Sequence, residues 1–206
     1  ELGVPLAILG DFAEEDYARG GTISFWLKVL FKAKWNYFFG KNYPEILILE
    51  YGADRPGDIA KLAKNFKPDM AVVTAIGEIP VHVEYFSGLE ELAQEKSKLV
   101  EALEPEDFVV LNTDDPMVLE MREKTKAQVR TFGFGESANV RVSDFEFKVG
   151  PNGEPEGVRF KVGDMADWQG ININGSLGKS QAWSAAAAAA VGLIFGLYPA
   201  RQASKK

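Results

Sequence analysis

The fold is decided by residues 46–59, which read ILILEYGADRPGDI. Four consecutive apolar residues, 46–49, are too few for a helix and predict a strand that is buried on both faces. An acid, a glycine and a loop that contains proline follow this strand. Apolar residues then recur at helical spacing, and Asp58 stands where it can cap the predicted helix: Ile59, Leu62, Ala63 and Phe66.

A second apolar run, residues 70–74 (MAVVT), predicts another buried strand after this helix. A strand, a helix and a strand in this order form a βαβ unit, with parallel strands and a right-handed crossover. Open α/β sheets bind ligands at the carboxyl ends of such strands, and Glu50 stands at that edge. From its position alone, Glu50 either holds a metal ion near a phosphate or makes a hydrogen bond to the loop.

The segment LEYGADRPGDI, residues 49–59, resembles the central-domain motif of the Mur ligases, ATP-dependent enzymes that build the stem peptide of peptidoglycan. It is most similar to the branch that adds D-alanyl-D-alanine, and the similarity continues, with gaps, to about Leu197. The resemblance implies an α/β fold over residues 1–198, with a mostly parallel sheet, flanking helices and a linker that starts at residue 199. It also implies ATP and Mg²⁺ as cofactors and Glu50 as a magnesium ligand.

The loop after the second strand contains His82, the single histidine of the chain. A lone histidine in a loop is more often a hydrogen-bonding residue than a metal ligand. In Mur ligases, however, this loop provides a histidine that binds the second magnesium, and His82 takes that place. The chain departs from the family at Ala75, where asparagine is usual, and the loop is longer.

Ser87 and Glu90 have the spacing of a capping box, which predicts a helix from this point. Lys96 falls on the apolar stripe of that helix, where a charge is costly unless it is paired or extends to water. The stripe itself predicts the core-facing side of the helix: Leu89, Leu92, Ala93, Leu99, Val100 and Leu103. In Mur ligases a lysine at this place is carbamylated, and the resemblance makes Lys96 that magnesium-bridging residue.

Residues 108–111 (FVVL) predict a further buried strand, followed by Asn112 and the helix start Asp115-Pro116. A capped turn from strand to helix explains these residues by itself. The resemblance adds a second role, because the family's asparagine contacts the adenine. Asn112, and with it Asp115, are therefore the candidate nucleotide-binding residues.

From residue 139 the apolar residues alternate, which predicts a small antiparallel meander over residues 139–175. A slip in phase at Ser143-Asp144 indicates a bulge. Residues 175–180 (GSLGKS) have the spacing of a short phosphate loop, but no buried strand precedes them. We interpret them as a turn before an apolar helix, residues 182–197, which Tyr198-Pro199 ends. The family has histidine and asparagine where Ser180 and Ser184 stand.

The segment Ile23–Phe39 is aromatic and basic, and predicts a helix with apolar residues around most of its circumference. Such a helix either lies on a membrane surface or packs inside the fold. We favour packing, with the aromatic side chains largely inside, and we therefore expect no stable association with lipid.

Composition sets outer bounds on function. A net charge of −7 and a pI near 4.9 argue against a general nucleic-acid binder, and the absence of cysteine excludes disulfides and thiolate metal sites. No secretory signal opens the chain, so we expect a cytoplasmic protein, and we expect a monomer.

The resemblance implies a domain that is truncated at both ends, with the phosphate loop upstream of Glu1. We therefore expect that the 206-residue chain alone does not turn over ATP. The intact enzyme would join UDP-N-acetylmuramoyl-tripeptide to D-alanyl-D-alanine through an acyl phosphate. Two alternatives stay open at this stage. One is another member of the family, which adds a single amino acid or is of the folyl-polyglutamate type; the other is a non-catalytic α/β domain that binds a partner or a membrane.

Overall fold

The computed structural model describes residues 3–10, 12, 22–40, 43–77, 85–164 and 167–203, with side chains up to residue 196. It divides into two compact units, Glu1–Gly52 and Ala53–Lys206. The first unit contains the helices α1 (Gly3–Leu9) and α2 (Ile23–Phe39).

The second unit contains the sheet and its helices. Its elements are, in chain order, α3 (Asp58–Asn65), β1 (Met70–Val73), α4 (Leu89–Glu101), β2 (Phe108–Asn112), α5 (Pro116–Glu120) with a 3₁₀ turn (Met121–Lys124), β3 (Gln128–Gly133), β4 (Val140–Val149), β5 (Pro155–Gly163), β6 (Trp168–Asn174) and α6 (Lys179–Ala203).

The six strands form one mixed sheet in the order β1-β2-β3-β4-β5-β6. The first three strands pair in parallel, and β4 joins β3 in parallel over two residues. From β4 to β6 the pairing is antiparallel. This architecture confirms the predicted α/β fold, including the antiparallel meander after a parallel sheet.

Helices cover both faces of the sheet because β2 is apolar on both sides. Val109 and Leu111 point into a core that α4 and α5 complete with residues such as Val100 and Val118. Val110 lies in a second core, which the small alanine side chains of α6 fill against β3, β4 and β5. Side chains alternate between the two faces of a strand, so four apolar residues in a row serve both layers.

The predicted bulge in β4 is confirmed. The register between β4 and β5 shifts between Ser143 and Glu146, and Asp144 has a positive φ of 51°. An extra residue on one strand produces such a local change of conformation and of side-chain phase.

The prediction of a buried strand at residues 46–49 is wrong. No strand forms there, and the side chain of Ile48 is 90% exposed. A strand forms where a neighbouring backbone accepts and donates its hydrogen bonds, and the described sheet begins at β1 instead. The helix and the second strand of the predicted βαβ unit are confirmed as α3 and β1.

Three predicted helix ends differ from the structure. Asp58 is the first residue of α3 and does not cap it, since its carboxylate accepts the N–H of Arg55 in the preceding turn. At the start of α4 the residue that accepts the N–H of Ser87 is Glu91, one position after the predicted Glu90. Helix α6 continues to Ala203, past the predicted end at Tyr198.

The aromatic residues of α2 are not largely inside the fold, contrary to the prediction. Phe25 and Val29 are buried, whereas Phe31 is 69% exposed. Six further large apolar residues of the helix are also exposed: Leu27, Leu30, Trp35, Tyr37, Phe38 and Phe39. Phe25 and Val29 pack with Leu6 and Phe12, and Lys32 lies over the ring of Phe12 on the same side of the helix. Because apolar residues surround most of the helix, burial of one side leaves the apolar residues of the other sides exposed.

Within the described residues, none of the helices has both the length and the apolar character that crossing a bilayer requires.

Candidate active site

The candidate site lies where the parallel strands β1, β2 and β3 end together. The loop that follows β1, residues 74–77, is held there by three side chains that the sequence singled out. Each of them binds a different backbone group of the loop: Asn112 at Thr74, Lys96 at Ala75 and Asp115 at Ile76.

Asn112 is the last residue of β2, and it is fully buried. Its Nδ2 donates to the carbonyl of Thr74 at 2.8 Å, and its Oδ1 accepts the N–H of Asp114 at 2.9 Å. Both ends of the amide are therefore satisfied inside the protein, as a buried polar group requires. In this structure Asn112 joins the ends of two neighbouring strands, and its contact with adenine stays a prediction.

Asp115 caps α5 and binds the loop with its second oxygen. Its Oδ1 accepts the N–H groups of Met117 and Val118, which confirms the predicted cap, with Pro116 in the first turn. Its Oδ2 accepts the N–H of Ile76 at 2.8 Å. One carboxylate thus orders the start of a helix and the end of the β1 loop.

Lys96 comes from α4, and its half-buried ammonium group donates to the carbonyl of Ala75 at 3.1 Å. Burial lowers the pKa of Lys96, because removal from water disfavours the charged form, and the nearby charge of Asp115 opposes this effect in part. The side chain therefore reaches the sheet edge and is not directed to open solvent, as simple snorkelling would require.

The other two predicted ligands are Glu50 and His82. Glu50 belongs to the first unit, where it is exposed, and His82 lies in residues 78–84, outside the described residues. The structure thus brings together Lys96, Asn112 and Asp115. Among the described residues, no group of three or more histidine, aspartate and glutamate side chains is arranged to hold a metal ion.

A second polar cluster next to this site was not predicted from the sequence. The carboxylate of Asp114 accepts the N–H groups of Phe134 and Gly135, after β3, and the indole N–H of Trp183 on α6 at 2.8 Å. A Cβ at Gly133, whose φ is 154°, would collide with the hydroxyl of Thr113, so the β3 loop approaches very closely. The only sequence signal was the pair of acids that follows β2.

Residues 175–180 follow the strand at one edge of the described sheet and do not follow a buried central strand. The preceding strand, β6, is an antiparallel edge strand with several exposed residues, and the ammonium of Lys179 lies 5.3 Å from the ring of Phe134. A phosphate loop connects a buried strand to a helix, and the first turn of that helix is open to the ligand. The geometry therefore agrees with the interpretation of these residues as a turn.

Comparison with known proteins decides the family. Residues 35–192 match the Mur ligase middle domain. The chain belongs to the Mur ligase family.

Two curated relatives have the same enzyme name. The chain is 37% identical over 95 residues, 46% of its length, to a UDP-N-acetylmuramoyl-tripeptide–D-alanyl-D-alanine ligase of Mycobacterium leprae. It is 28% identical over 155 residues, 75% of its length, to the ligase of that name in Bacillus subtilis. The matches cover 18% and 31% of these two Mur ligases, so the chain spans less than a third of either relative.

Solved Mur ligases share the fold. The MurF ligase of Thermotoga maritima, solved in complex with ADP, superposes with a TM-score of 0.61 at 24% identity, over 86% of this chain and 38% of that one. MurF of Acinetobacter baumannii gives a TM-score of 0.59 at 24% identity, over 70% of this chain and 30% of that one. These structures establish that the described sheet and helices have the Mur ligase arrangement.

A stability measurement checks the double role of Asp115 in this Mur ligase domain. Asp115→Ala is expected to lower the free energy of unfolding by about 2–4 kcal/mol, because a helix cap and the partner of the Ile76 N–H are lost together. Asp115→Asn should cost less, since its amide oxygen still caps α5. The control is Glu123→Ala, at a side chain that is 81% exposed, with an expected change within about 0.5 kcal/mol. Equal urea midpoints for Asp115→Ala and the control would contradict the assignment.

Proposed function

We propose that this chain is the ATP-using middle domain of a ligase that joins UDP-N-acetylmuramoyl-tripeptide to D-alanyl-D-alanine. The observation that carries the proposal is the site at the sheet edge, where Lys96, Asn112 and Asp115 hold one loop. The family membership and the names of the two curated relatives support it. The activity belongs to the full-length protein that contains this domain, called the intact ligase below.

The reaction couples the cleavage of ATP to the formation of an amide bond. A carboxylate oxygen of the tripeptide attacks the terminal phosphorus of ATP, the bond to the bridging oxygen breaks, and ADP leaves. The amine of D-alanyl-D-alanine then attacks the acyl carbon of the resulting acyl phosphate. A C–N bond forms, a proton is lost from nitrogen, and phosphate departs with the former carboxylate oxygen.

The residues proposed to hold magnesium are Glu50, His82 and carbamylated Lys96. Their donor set suits the ion, because two of the three ligands are carboxylate-type oxygens, which Mg²⁺ prefers. The position of Lys96 also fits, since its nitrogen already reaches the carboxyl edge of the sheet. When bound, the ion supplies positive charge that neutralises the phosphate oxygens of the nucleotide.

Lys96 forms the proposed carbamate when its side-chain amine is neutral. The nitrogen lone pair attacks the carbon of carbon dioxide, an N–C bond forms as the electron pair of one C=O π bond moves to its oxygen, and one proton leaves from nitrogen to solvent. Because burial lowers the pKa of Lys96, a larger fraction of its amine is neutral near pH 7 than for an ordinary lysine. The product is an anion in place of a cation.

Asn112 and Asp115 are proposed to stand at the adenine end of the nucleotide site. Both side chains hold the loop after β1, so their first effect is to keep the strand ends in register around the nucleotide. The T. maritima relative, which was solved with ADP, supports a nucleotide site in this fold. A contact between adenine and the Asn112 amide requires a change in one of its two present hydrogen bonds.

Formation of ADP by the intact ligase tests the proposal. We expect ADP to form at a substantial rate only when UDP-N-acetylmuramoyl-tripeptide, D-alanyl-D-alanine and Mg²⁺ are all present, with the amide product confirmed by mass spectrometry. A panel of single amino acids in place of D-alanyl-D-alanine serves as the matched control. A higher rate with one of them would reassign the chain to another branch of the family, and no ADP with any amine would overturn the proposal.

The proposed partners are these two substrates alone, and we propose a cytoplasmic monomer without nucleic-acid binding. The excess of 30 acidic over 23 basic side chains opposes attraction to polyanions. Gel filtration of the intact ligase with light scattering measures the molecular mass, and a dimer mass would contradict the monomer.

Lipid binding has a separate test, because most of the large apolar side chains of α2 are exposed. We expect no co-sedimentation with vesicles that contain anionic lipid, since the net charge of −7 opposes the approach to a negative surface. Co-sedimentation that disappears when Lys28, Lys32 and Lys34 are replaced by glutamine would contradict this expectation. Neutral vesicles are the control for purely apolar adsorption.

A further inference from the structure

The start of α3 is bound by a carboxylate from another helix. Glu95 of α4 is only 8% exposed, and it accepts three backbone N–H groups, of Gly57 at 2.9 Å, Ile59 at 2.7 Å and Ala60 at 3.4 Å. The first amides of a helix have no partner within the helix, and its N-terminus favours negative charge. Gly57, at the N-cap position, has no side chain that could accept these amides or supply a negative charge. Glu95 therefore does what the residue at that position cannot.

Glu95 is also the direct neighbour of Lys96 on α4. Successive residues of a helix point about 100° apart, so the two side chains leave the helix in different directions. Glu95 binds the turn before α3, and Lys96 binds the loop after β1. Two adjacent residues thus fix two loops relative to one helix, and any shift or rotation of α4 would move both contacts.

We propose that Glu95 is a positioning residue of the magnesium site. It fixes α4 against the turn before α3, and thereby sets the place of the Lys96 nitrogen at the end of β1. This inference rests on the proposed function, and it concerns a residue that touches neither substrate nor metal. Groups that orient metal ligands typically change metal affinity by about ten- to a hundredfold when they are removed.

The test uses the intact ligase with Glu95→Ala and Glu95→Gln, and Glu101→Ala as the matched control. Glu101 is a carboxylate at the other end of α4, bound to Ser97 and Lys98, and it has no contact with the turn among the bonds described. In Glu95→Ala we expect the Mg²⁺ concentration for half-maximal rate to rise at least about tenfold, with most of the rate recovered at saturating Mg²⁺. In Glu101→Ala that concentration should stay unchanged.

Amide hydrogen exchange gives a second readout that does not depend on activity. Glu95→Ala should speed exchange at the amides of Gly57 and Ile59. Glu95→Gln keeps one acceptor oxygen, so it should still protect one of these amides. Its Mg²⁺ concentration for half-maximal rate should rise less than that of Glu95→Ala. A merely structural cap would speed exchange and lower stability, but it would leave the magnesium requirement equal to that of Glu101→Ala. That result would overturn the inference.

The two proposals fail in different ways. A wild-type intact ligase that makes no amide product overturns the proposed function. An active wild type whose Glu95 variants keep the normal magnesium requirement overturns only the role of Glu95. If Glu95→Ala does not fold, Glu95→Gln decides alone, since it retains the size of the side chain and part of its bonding.

Discussion

Replacing Lys96 by alanine in the intact ligase is expected to lower the rate of ligation at least about a hundredfold, the range seen when a group that stabilises transition-state charge is removed. The carbamate proposed for Lys96 would otherwise help to hold the ion at the phosphates. The fold should persist, because the buried contacts of α4 come from other residues, such as Leu92 and Val100. The rate of ADP formation and the circular dichroism spectrum measure the two effects.

The control for this prediction is Lys98→Ala. Lys98 lies two residues further along α4 and pairs with Glu101 at the surface, so its removal should leave the rate within about twofold. Bicarbonate-free buffer should slow the wild type and leave Lys96→Ala unaffected. Lys96→Glu, or a short carboxylic acid added to Lys96→Ala, should restore part of the rate. Near-normal activity of Lys96→Ala would mean that Lys96 has no role in holding magnesium and only binds the carbonyl of Ala75.

The largest expected loss of stability is at Phe132. Its side chain is fully buried in β3, in the core that α6 covers. Phe132→Ala is therefore expected to lower the free energy of unfolding by about 3–5 kcal/mol, the cost of removing a buried aromatic ring and leaving a cavity. Urea denaturation, followed by circular dichroism, measures the change.

The matched control is Phe147→Ala in the neighbouring strand β4. The phenylalanine side chain at this position is 57% exposed, so its truncation should lower the free energy of unfolding by less than about 1 kcal/mol. Similar losses for the two variants would show that the core assigned between β3 and α6 does not carry the stability of the second unit.

The parallel sheet and the meander were predictable because their signals are local. Four apolar residues in β2 serve two cores, and the slip at Ser143-Asp144 marks a bulge, as the structure confirms. The cap at Asp115 was predictable for the same reason, since a capping residue and the helix it starts are adjacent in sequence. The bond from Asp115 to Ile76 was not, because 39 residues separate the two.

The failures have a common physical origin in partners that lie far away in the chain. The sequence predicts that Asp58 caps α3, but Asp58 is the first residue of the helix, and the buried carboxylate of Glu95, on another helix, accepts the amides. Residues 46–49 have the composition of a strand, yet pairing requires a neighbouring backbone, which composition does not specify. In α2 the apolar residues surround the helix, so the pattern does not say which side turns inward.

The transfer of oxygen during the reaction tests the central claim most directly. The intact ligase is supplied with UDP-N-acetylmuramoyl-tripeptide in which both oxygens of the reacting carboxylate are ¹⁸O, together with ATP, Mg²⁺ and D-alanyl-D-alanine. The account predicts one ¹⁸O in each molecule of phosphate released, together with ADP, because the carboxylate oxygen leaves on the phosphoryl group. Unlabelled phosphate, or AMP in place of ADP, would contradict an acyl phosphate formed by this domain.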